Sequence, residues 1–165
     1  MNIKIISEDD YGGAFLKNVI LQLKNKKQVG NISVKGSKPM RPLCNFKLDR
    51  ILKSFDGSCD KIIIMLDSDG PENLEARRTN IIRHVPDDLE TPVEIILSEY
   101  EIEEWICISK DMKWEHSKPS EELKRNFGYE KYKLPKYASE LDFDKLQKNC
   151  KSFKAFLKAL MPLQK

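Results

Sequence analysis

Acidic residues stand directly after three apolar segments of the chain. Asp67 and Asp69 follow the run KIIIML, and Glu8 follows the shorter segment NIKIIS. Glu101 and Glu103 come shortly after a third run, VEIIL. Crowded carboxylates repel one another unless protons or a divalent cation neutralise them. Oxygen donors without His or Cys suit hard ions, so these residues predict a site for Mg²⁺ or Mn²⁺.

The segments that carry these acids have the pattern of β-strands alternating with helices. Apolar, β-branched runs predict strands at 2–7, 31–35, 61–66 and 93–97, and helical spacing or caps fill the intervals. Such alternation predicts an α/β fold with a mostly parallel, four-stranded sheet flanked by helices. The carboxyl ends of parallel strands lie at one edge, where ligands bind in open α/β sheets. The acids are therefore expected to lie together.

The chain is acidic before residue 110 and basic after it. Residues 1–109 carry 15 Lys and Arg against 18 Asp and Glu, whereas residues 110–165 carry 14 against 8. The basic part has only helical patterns, including a final helix from about Asp142 to Leu160. We expect one domain over 1–165, with an α/β core at 1–109 and a basic helical extension at 110–165 packed on it. The charge difference suits a metal site beside a phosphate-binding surface.

The composition excludes several other classes of protein. The 165 residues contain no apolar run long enough to span a bilayer, and the chain opens on a charged strand and not on a signal peptide. We expect a soluble, cytoplasmic protein with no membrane partner. The four cysteines are scattered without a C-x-x-C pair, which argues against a zinc site or a disulfide framework.

Other interpretations of the D-x-D segment remain open. Asp-Ser-Asp-Gly is also the composition of a simple turn that caps a helix. A response-regulator receiver would use Asp67 as phosphoacceptor and Asp9 and Asp10 as Mg²⁺ ligands, but it needs a Lys after a fifth strand, which the pattern does not predict. A haloacid-dehalogenase-type phosphotransferase fits poorly because Pro71 follows the motif. A calcium-binding hand fails because Arg78 stands where its terminal Glu belongs.

The order of these acids resembles the Toprim domain of topoisomerases, bacterial primases and overcoming-lysogenization-defect nucleases. That domain has a Glu after its first strand, D-x-D after its third and acids after its fourth. The segment YEIEEW at 100–105 looks like the E-x-E-x-W signature of small prokaryotic Toprim-like proteins. The segment at 152–157 resembles their closing Ser-Phe-x-x-F-L. The resemblance spans nearly the whole chain.

The resemblance implies a role for each acid. Glu8, Asp67 and Asp69 correspond to the family's catalytic and metal-binding residues, and Glu101 and Glu103 to its E-x-E acids. It implies a Mg²⁺- or Mn²⁺-dependent nuclease or related phosphoryl-transfer enzyme, with nucleic acid as candidate partner. The alternative is a non-catalytic Toprim-like module that binds metal, nucleic acid or a protein. The candidate phosphate contacts are Lys38, Arg41, Arg77, Arg78, Lys124 and Arg125.

One position departs from the nuclease relatives. Many of them read E-G-x-x-D, and Gly12 stands here where that Asp belongs, while Asp9 replaces the usual Gly. Either Asp9 or Asp10 compensates, or a second metal site is weakened. Of the two tryptophans, Trp105 has the spacing of a core residue, and Trp114 allows either packing or base stacking.

Overall fold

The computed structural model describes residues 1–40, 46–114 and 118–162, and it confirms the α/β prediction. The strands are β1 (Asn2–Ser7), β2 (Ser33–Pro39), β3 (Lys61–Asp67) and β4 (Val93–Ser98). They form one four-stranded sheet in the order β2-β1-β3-β4, and every neighbouring pair is parallel. β2 begins two residues later than predicted and extends into the basic loop.

Helices connect the strands, and further helices come after β4 in the chain. α1 is Asp10–Asn25, α2 is Phe46–Phe55, α3 is Leu74–Ile82 and α4 is Glu104–Ser109. The basic part contains α5 (Pro119–Phe127), α6 (Phe143–Asn149) and α7 (Lys151–Ala159), with a 3₁₀ segment at Lys131–Glu140 before α6. A short 3₁₀ turn, Pro71–Asn73, precedes α3.

The sheet is covered by helices on both faces. Ile3, Ile5 and Ile63 face a core that contains α1, α4, the 3₁₀ segment, α6 and α7. Ile62 and Ile64 face the opposite core, which contains residues of α2 and α3. Because β3 is buried on both sides, it reads as a continuous apolar run and not as an alternating one. The basic helices therefore cover the same face as α1.

The strand order places a topological switch point between β1 and β3. From β1 the chain moves to β2 on one side of the sheet, and it then returns to β3 on the other side of β1. Crevices form at such points outside the carboxyl ends of the strands. Glu8 follows β1 and Asp67 ends β3, so both residues stand at this crevice.

The end of the chain differs from the predicted single helix at 142–160. α6 and α7 are separated at Cys150, whose backbone is extended at φ −116° and ψ 111°. Both helices nevertheless bury aromatic side chains, Phe143 from α6 and Phe153 and Phe156 from α7. The apolar spacing therefore predicted the buried residues correctly but not the break between the helices. Because the apolar residues before and after Cys150 face the same core, the break hardly changes their spacing in the sequence.

Three further expectations can be compared with the structure. Within the described residues no helix is long and apolar enough to cross a membrane. No strand follows β4 among the residues that the structure describes, so the fifth-strand Lys of a receiver has no counterpart there. Cys107 and Cys150 are buried free thiols and Cys59 is partly buried, while Cys44 lies outside the described residues.

Candidate functional site

The five predicted acids line one cavity of about 460 Å³ at the carboxyl edge of the sheet. Glu8, Asp67 and Asp69 come from the ends of β1 and β3. Glu101 and Glu103 come from the turn between β4 and α4. The rest of the cavity wall comes from the basic part of the chain. The lining acids are Glu8, Asp67, Asp69, Glu101 and Glu103, and the remaining lining residues are Lys118, Ser120, Glu121, Lys124, Tyr129, Glu130 and Lys131.

Asp67 lies at the centre of a negatively charged environment. Its Oδ1 accepts a hydrogen bond from the amide N–H of Ile102 at 2.8 Å, and its own amide N–H donates to Glu8 Oε1 at 3.3 Å. Burial raises the pKa of Asp67 well above its ordinary value, and the charges of Glu8 and Glu103 raise it further. Lys131 and the Ile102 amide only partly oppose this rise. The lining named above contains seven acidic side chains and three lysines, so acids outnumber cations around Asp67.

Asp69 projects from a tight turn that is fastened to the neighbouring loop. Its backbone adopts the left-handed conformation at φ +57°, and its amide N–H donates to the Tyr100 carbonyl at 3.0 Å. The next amide, of Gly70, donates to the Glu99 carbonyl at 2.8 Å. Lys118 Nζ lies 2.6 Å from Asp69 Oδ1, and Arg77 reaches Oδ2 at 3.2 Å. The carboxylate is thus held by two cations at the rim of the cavity.

Glu101 and Glu103 both face the cavity but have different partners. Glu101 Oε2 accepts the amide N–H of Ser120 at 2.9 Å, so this acid stabilises the first turn of α5. Glu103 is buried, and its Oε1 accepts from Tyr129 Oη at 2.7 Å and from Lys131 Nζ at 2.8 Å. The other oxygen, Glu103 Oε2, is buried without any hydrogen-bond partner. Such an atom is costly unless a ligand supplies the missing contact.

The cations nearest to the acids are ones that sequence reasoning missed. Lys131 opens the 3₁₀ segment, which the spacing of apolar residues did not predict, and Lys118 precedes Pro119 at the start of α5. The hydroxyl donor Tyr129, two residues before Lys131, was missed as well. Burial would lower the pKa of Lys131, but Glu103, together with other nearby acids, raises it above the ordinary value. The only signal in the sequence was the position of these residues in the basic part of the chain.

The predicted phosphate contacts are only partly near the cavity. Lys124 lines it, and Arg77 reaches it through Asp69. Arg78 instead donates to the Ile95 carbonyl at 3.3 Å, and Arg125 pairs with Glu122 at 2.8 Å. Lys38 is exposed on β2 and is not among the lining residues, and Arg41 lies outside the described residues.

Asp9 and Gly12, the positions at which the chain departs from the nuclease pattern, lie at the edge of the site. Gly12 contributes to a small crevice together with Glu8, Asp67 and Lys131. Asp9 Oδ1 accepts the Gly12 amide N–H at 2.7 Å, which caps α1, and Asp9 Oδ2 lies 3.8 Å from Lys131 Nζ. Asp9 Oδ1 therefore lies 3.4 Å from the position that a Cβ on residue 12 would take, while Asp9 Oδ2 faces an ammonium group.

The donor chemistry of the cavity fits a hard divalent cation. The lining acids offer only oxygen donors, and the buried Glu103 Oε2 lacks a partner. Within residues 1–40, 46–114 and 118–162, however, no three His, Cys, Asp or Glu side chains already surround one point as metal ligands would. Two of the acids already have lysine partners, since Lys118 pairs with Asp69 and Lys131 pairs with Glu103.

The Trp105 indole connects the acidic turn to the end of the chain. Its Nε1 donates to Ser152 Oγ at 2.8 Å, and Ser152 Oγ donates to Glu104 Oε1 at 2.6 Å. The ring is fully buried and packs edge-on against Phe153 with centroids 5.0 Å apart. This confirms the core position predicted for Trp105, and it joins the YEIEEW and Ser-Phe-x-x-F-L segments physically. Trp114 packs against Tyr100 at 6.1 Å.

Comparison of the chain with protein-family models, with curated proteins and with solved structures finds no significant match. The Toprim-like assignment therefore stays a hypothesis that rests on the order of the motifs.

Proposed function

We propose that the protein is a Toprim-like, Mg²⁺-dependent enzyme that transfers phosphoryl groups on nucleic acid, most simply as a nuclease. The observation that carries the proposal is the convergence of five acids from three chain segments on one cavity at the switch point of the sheet. A structural role for single acids, such as a helix cap, does not require that they share a cavity.

The metal would be held by the inner acids of the cavity. Asp67 and Glu103 are the proposed ligands, because burial together with the charges of Glu8 and Glu103 raises the pKa of Asp67, and because Glu103 Oε2 lacks a hydrogen-bond partner. When bound there, Mg²⁺ would polarise a phosphoryl oxygen and lower the pKa of a coordinated water. Glu8, beside Asp67 at the switch point, is the proposed acceptor of the proton from the attacking water.

The rim residues would hold the polynucleotide backbone. Lys118 and Lys124 line the cavity on the side of the basic helices, and the Lys124 side chain is 69% exposed. Point charges of this kind bind phosphate oxygens without reading base sequence. Lys118 is tethered to Asp69, so binding of a phosphate would compete with that ion pair.

A non-catalytic, nucleic-acid-binding module is the second candidate. The specific observation in its favour is that Asp69 and Glu103 already have lysine partners at 2.6 and 2.8 Å. In that case the lysines neutralise the acids permanently, and nucleic acid binds at the rim without reaction.

A cleavage assay distinguishes the two candidates. Single- and double-stranded DNA and RNA would be incubated with the protein in Mg²⁺ or Mn²⁺, beside the Asp67→Asn variant. We expect cleavage that depends on the divalent ion and falls by at least about 100-fold in Asp67→Asn, which loses a proposed metal ligand.

The matched control is Asp144→Asn, which removes an exposed carboxylate from α6 and away from the cavity. It should cleave like the wild type. Equal cleavage by wild type and Asp67→Asn would exclude the enzymatic proposal, and binding without cleavage would favour the module.

A further inference from the structure

Among the described residues that line the cavity, Lys131 is the one cation that bonds directly to a buried acid. Its Nζ lies 2.8 Å from Glu103 Oε1 and 3.8 Å from Asp9 Oδ2, and only 34% of its side chain is exposed. It opens the 3₁₀ segment that packs along α1. Because that segment fixes the backbone of Lys131, the ammonium group is part of the folded site and not a loose surface charge.

The two carboxylate oxygens of Glu103 have different contacts. Tyr129 Oη and Lys131 Nζ both donate to Oε1, while Oε2 is buried without a partner. Glu103 itself is only 1% exposed. One oxygen of this carboxylate is therefore already paired with the Lys131 ammonium, and the other has no hydrogen-bond partner among the described residues.

Asp9 is the acid best placed to support a second metal, and it is engaged elsewhere. Its Oδ1 caps α1 through the Gly12 amide, and its Oδ2 faces Lys131. Residue 12 is a glycine, so it supplies no carboxylate to the crevice that it shares with Lys131. Asp9 and Glu103, the acids on this side of the cavity, thus both lie near the Lys131 ammonium group.

We propose that the Lys131 ammonium is the built-in second cation of this site, so that the cavity takes a single divalent ion. Two divalent ions in such a site lie about 3.5–4 Å apart and share a carboxylate. The position beside Glu103 Oε1 and Asp9 that a second ion would use is filled by Lys131, and like charges repel at that distance. This inference rests on the proposed metal-dependent function, and it specifies how many divalent ions the site binds.

Direct titration with Mn²⁺ tests the inference without any substrate. Mn²⁺ binding would be measured by isothermal calorimetry and by electron paramagnetic resonance on the wild type, Lys131→Met and Lys131→Arg. We expect one Mn²⁺ per wild-type chain. Lys131→Met should bind a second Mn²⁺, seen as spin coupling between two ions, or bind the first at least about tenfold more tightly. Lys131→Arg keeps the charge and should bind one.

The control is Lys136→Met, which removes an exposed lysine of the same 3₁₀ segment and should leave binding unchanged. Two ions in the wild type, or the same number and affinity in Lys131→Met, would overturn the inference and leave the metal-dependent function standing. No Mn²⁺ in either protein would overturn both. If Lys131→Met does not fold, Lys131→Gln replaces it, and the wild-type stoichiometry still decides.

Discussion

Asp67 combines a position at the end of a buried strand with a carboxylate in an acidic environment. It ends the most buried strand of the sheet and carries a carboxylate among other carboxylates. Its one backbone partner, the Ile102 amide, needs only an oxygen acceptor, which an amide side chain also provides. An asparagine side chain could therefore accept the same hydrogen bond without placing a charge in this acidic environment.

We predict that Asp67→Asn is more stable than the wild type in metal-free buffer, and increasingly so as the pH rises. The pKa of Asp67 is raised in the folded state by burial and by Glu8 and Glu103. The unfolded chain therefore releases this proton at lower pH than the folded chain, and the wild type loses stability as the pH rises from the ordinary value of 3.8 through the raised one. The variant cannot ionise and avoids this loss.

Urea unfolding with EDTA at several pH values between 4 and 8 measures the difference. The gap in the free energy of unfolding between Asp67→Asn and the wild type should widen with pH. Asp144→Asn, on the surface, should stay within about 0.5 kcal/mol of the wild type. A less stable Asp67→Asn at pH 8 would show that the carboxylate is needed for the fold.

The turns after β3 and β4 are one structural unit. The amides of Ser68 and Asp69 both donate to the Tyr100 carbonyl, and Asp67 accepts from the Ile102 amide. The D-x-D and E-x-E segments are therefore bonded to each other through their backbones before any ligand binds. These bonds hold the Asp67 carboxylate against the backbone of the E-x-E turn.

The first turn of α1 provides a matched pair of glycines for a prediction at the level of the element. A Cβ on Gly12 would meet Asp9 Oδ1 at 3.4 Å, an ordinary contact, whereas a Cβ on Gly13 would lie 3.0 Å from Ser37 Oγ and 3.1 Å from Ser7 Oγ. We expect Gly12→Ala to be more stable by about 0.5 kcal/mol, since alanine restricts the unfolded chain. Gly13→Ala should be less stable by roughly 1–3 kcal/mol through overpacking against β2.

Thermal and urea unfolding of the two alanine variants check this pair. Both variants make the same substitution at adjacent residues of one helical turn. Opposite changes in the free energy of unfolding would therefore reflect the packing around each added Cβ. Destabilisation by both would mean that the α1 turn tolerates no Cβ at all, and stabilisation by both would mean that Ser7 and Ser37 move aside freely.

The sequence predicted those elements whose signal is local. Buried strands such as β3 show as apolar runs, and acids such as Asp67 and Glu101 could be placed at strand ends without coordinates. The position of Lys131 could not be predicted, because its partner Glu103 is 28 residues away in the sequence. Lys131 also lies in a segment whose apolar residues show no regular spacing. The partners of the acids thus depend on tertiary packing, which a pattern of single residues does not record.

On the scale of the whole molecule, β3 joins the site to the end of the chain. Asp67 ends the strand at the cavity, and Lys61 begins it at the opposite edge of the sheet. Lys61 is 2% exposed, and its Nζ donates to the carbonyls of Ala159 at 2.6 Å and Met161 at 3.0 Å. These carbonyls close α7, so the ammonium group satisfies acceptors that the helix end leaves unpaired. A strand of the acidic part thereby fastens the last helix of the basic part.

We predict that Lys61→Met destabilises the protein by about 1–3 kcal/mol, because it leaves the buried Ala159 carbonyl and the partly buried Met161 carbonyl without this donor. The apolar stem of methionine fills most of the same space, so the loss reports the hydrogen bonds more than packing. Urea unfolding followed by tryptophan fluorescence measures the effect, since Trp105 packs against Phe153 and Phe156 of α7. Lys158→Met, which removes an exposed lysine from the same helix, is the control and should change the free energy by less than about 0.5 kcal/mol. If both variants unfold like the wild type, the end of α7 is held by its aromatic face alone.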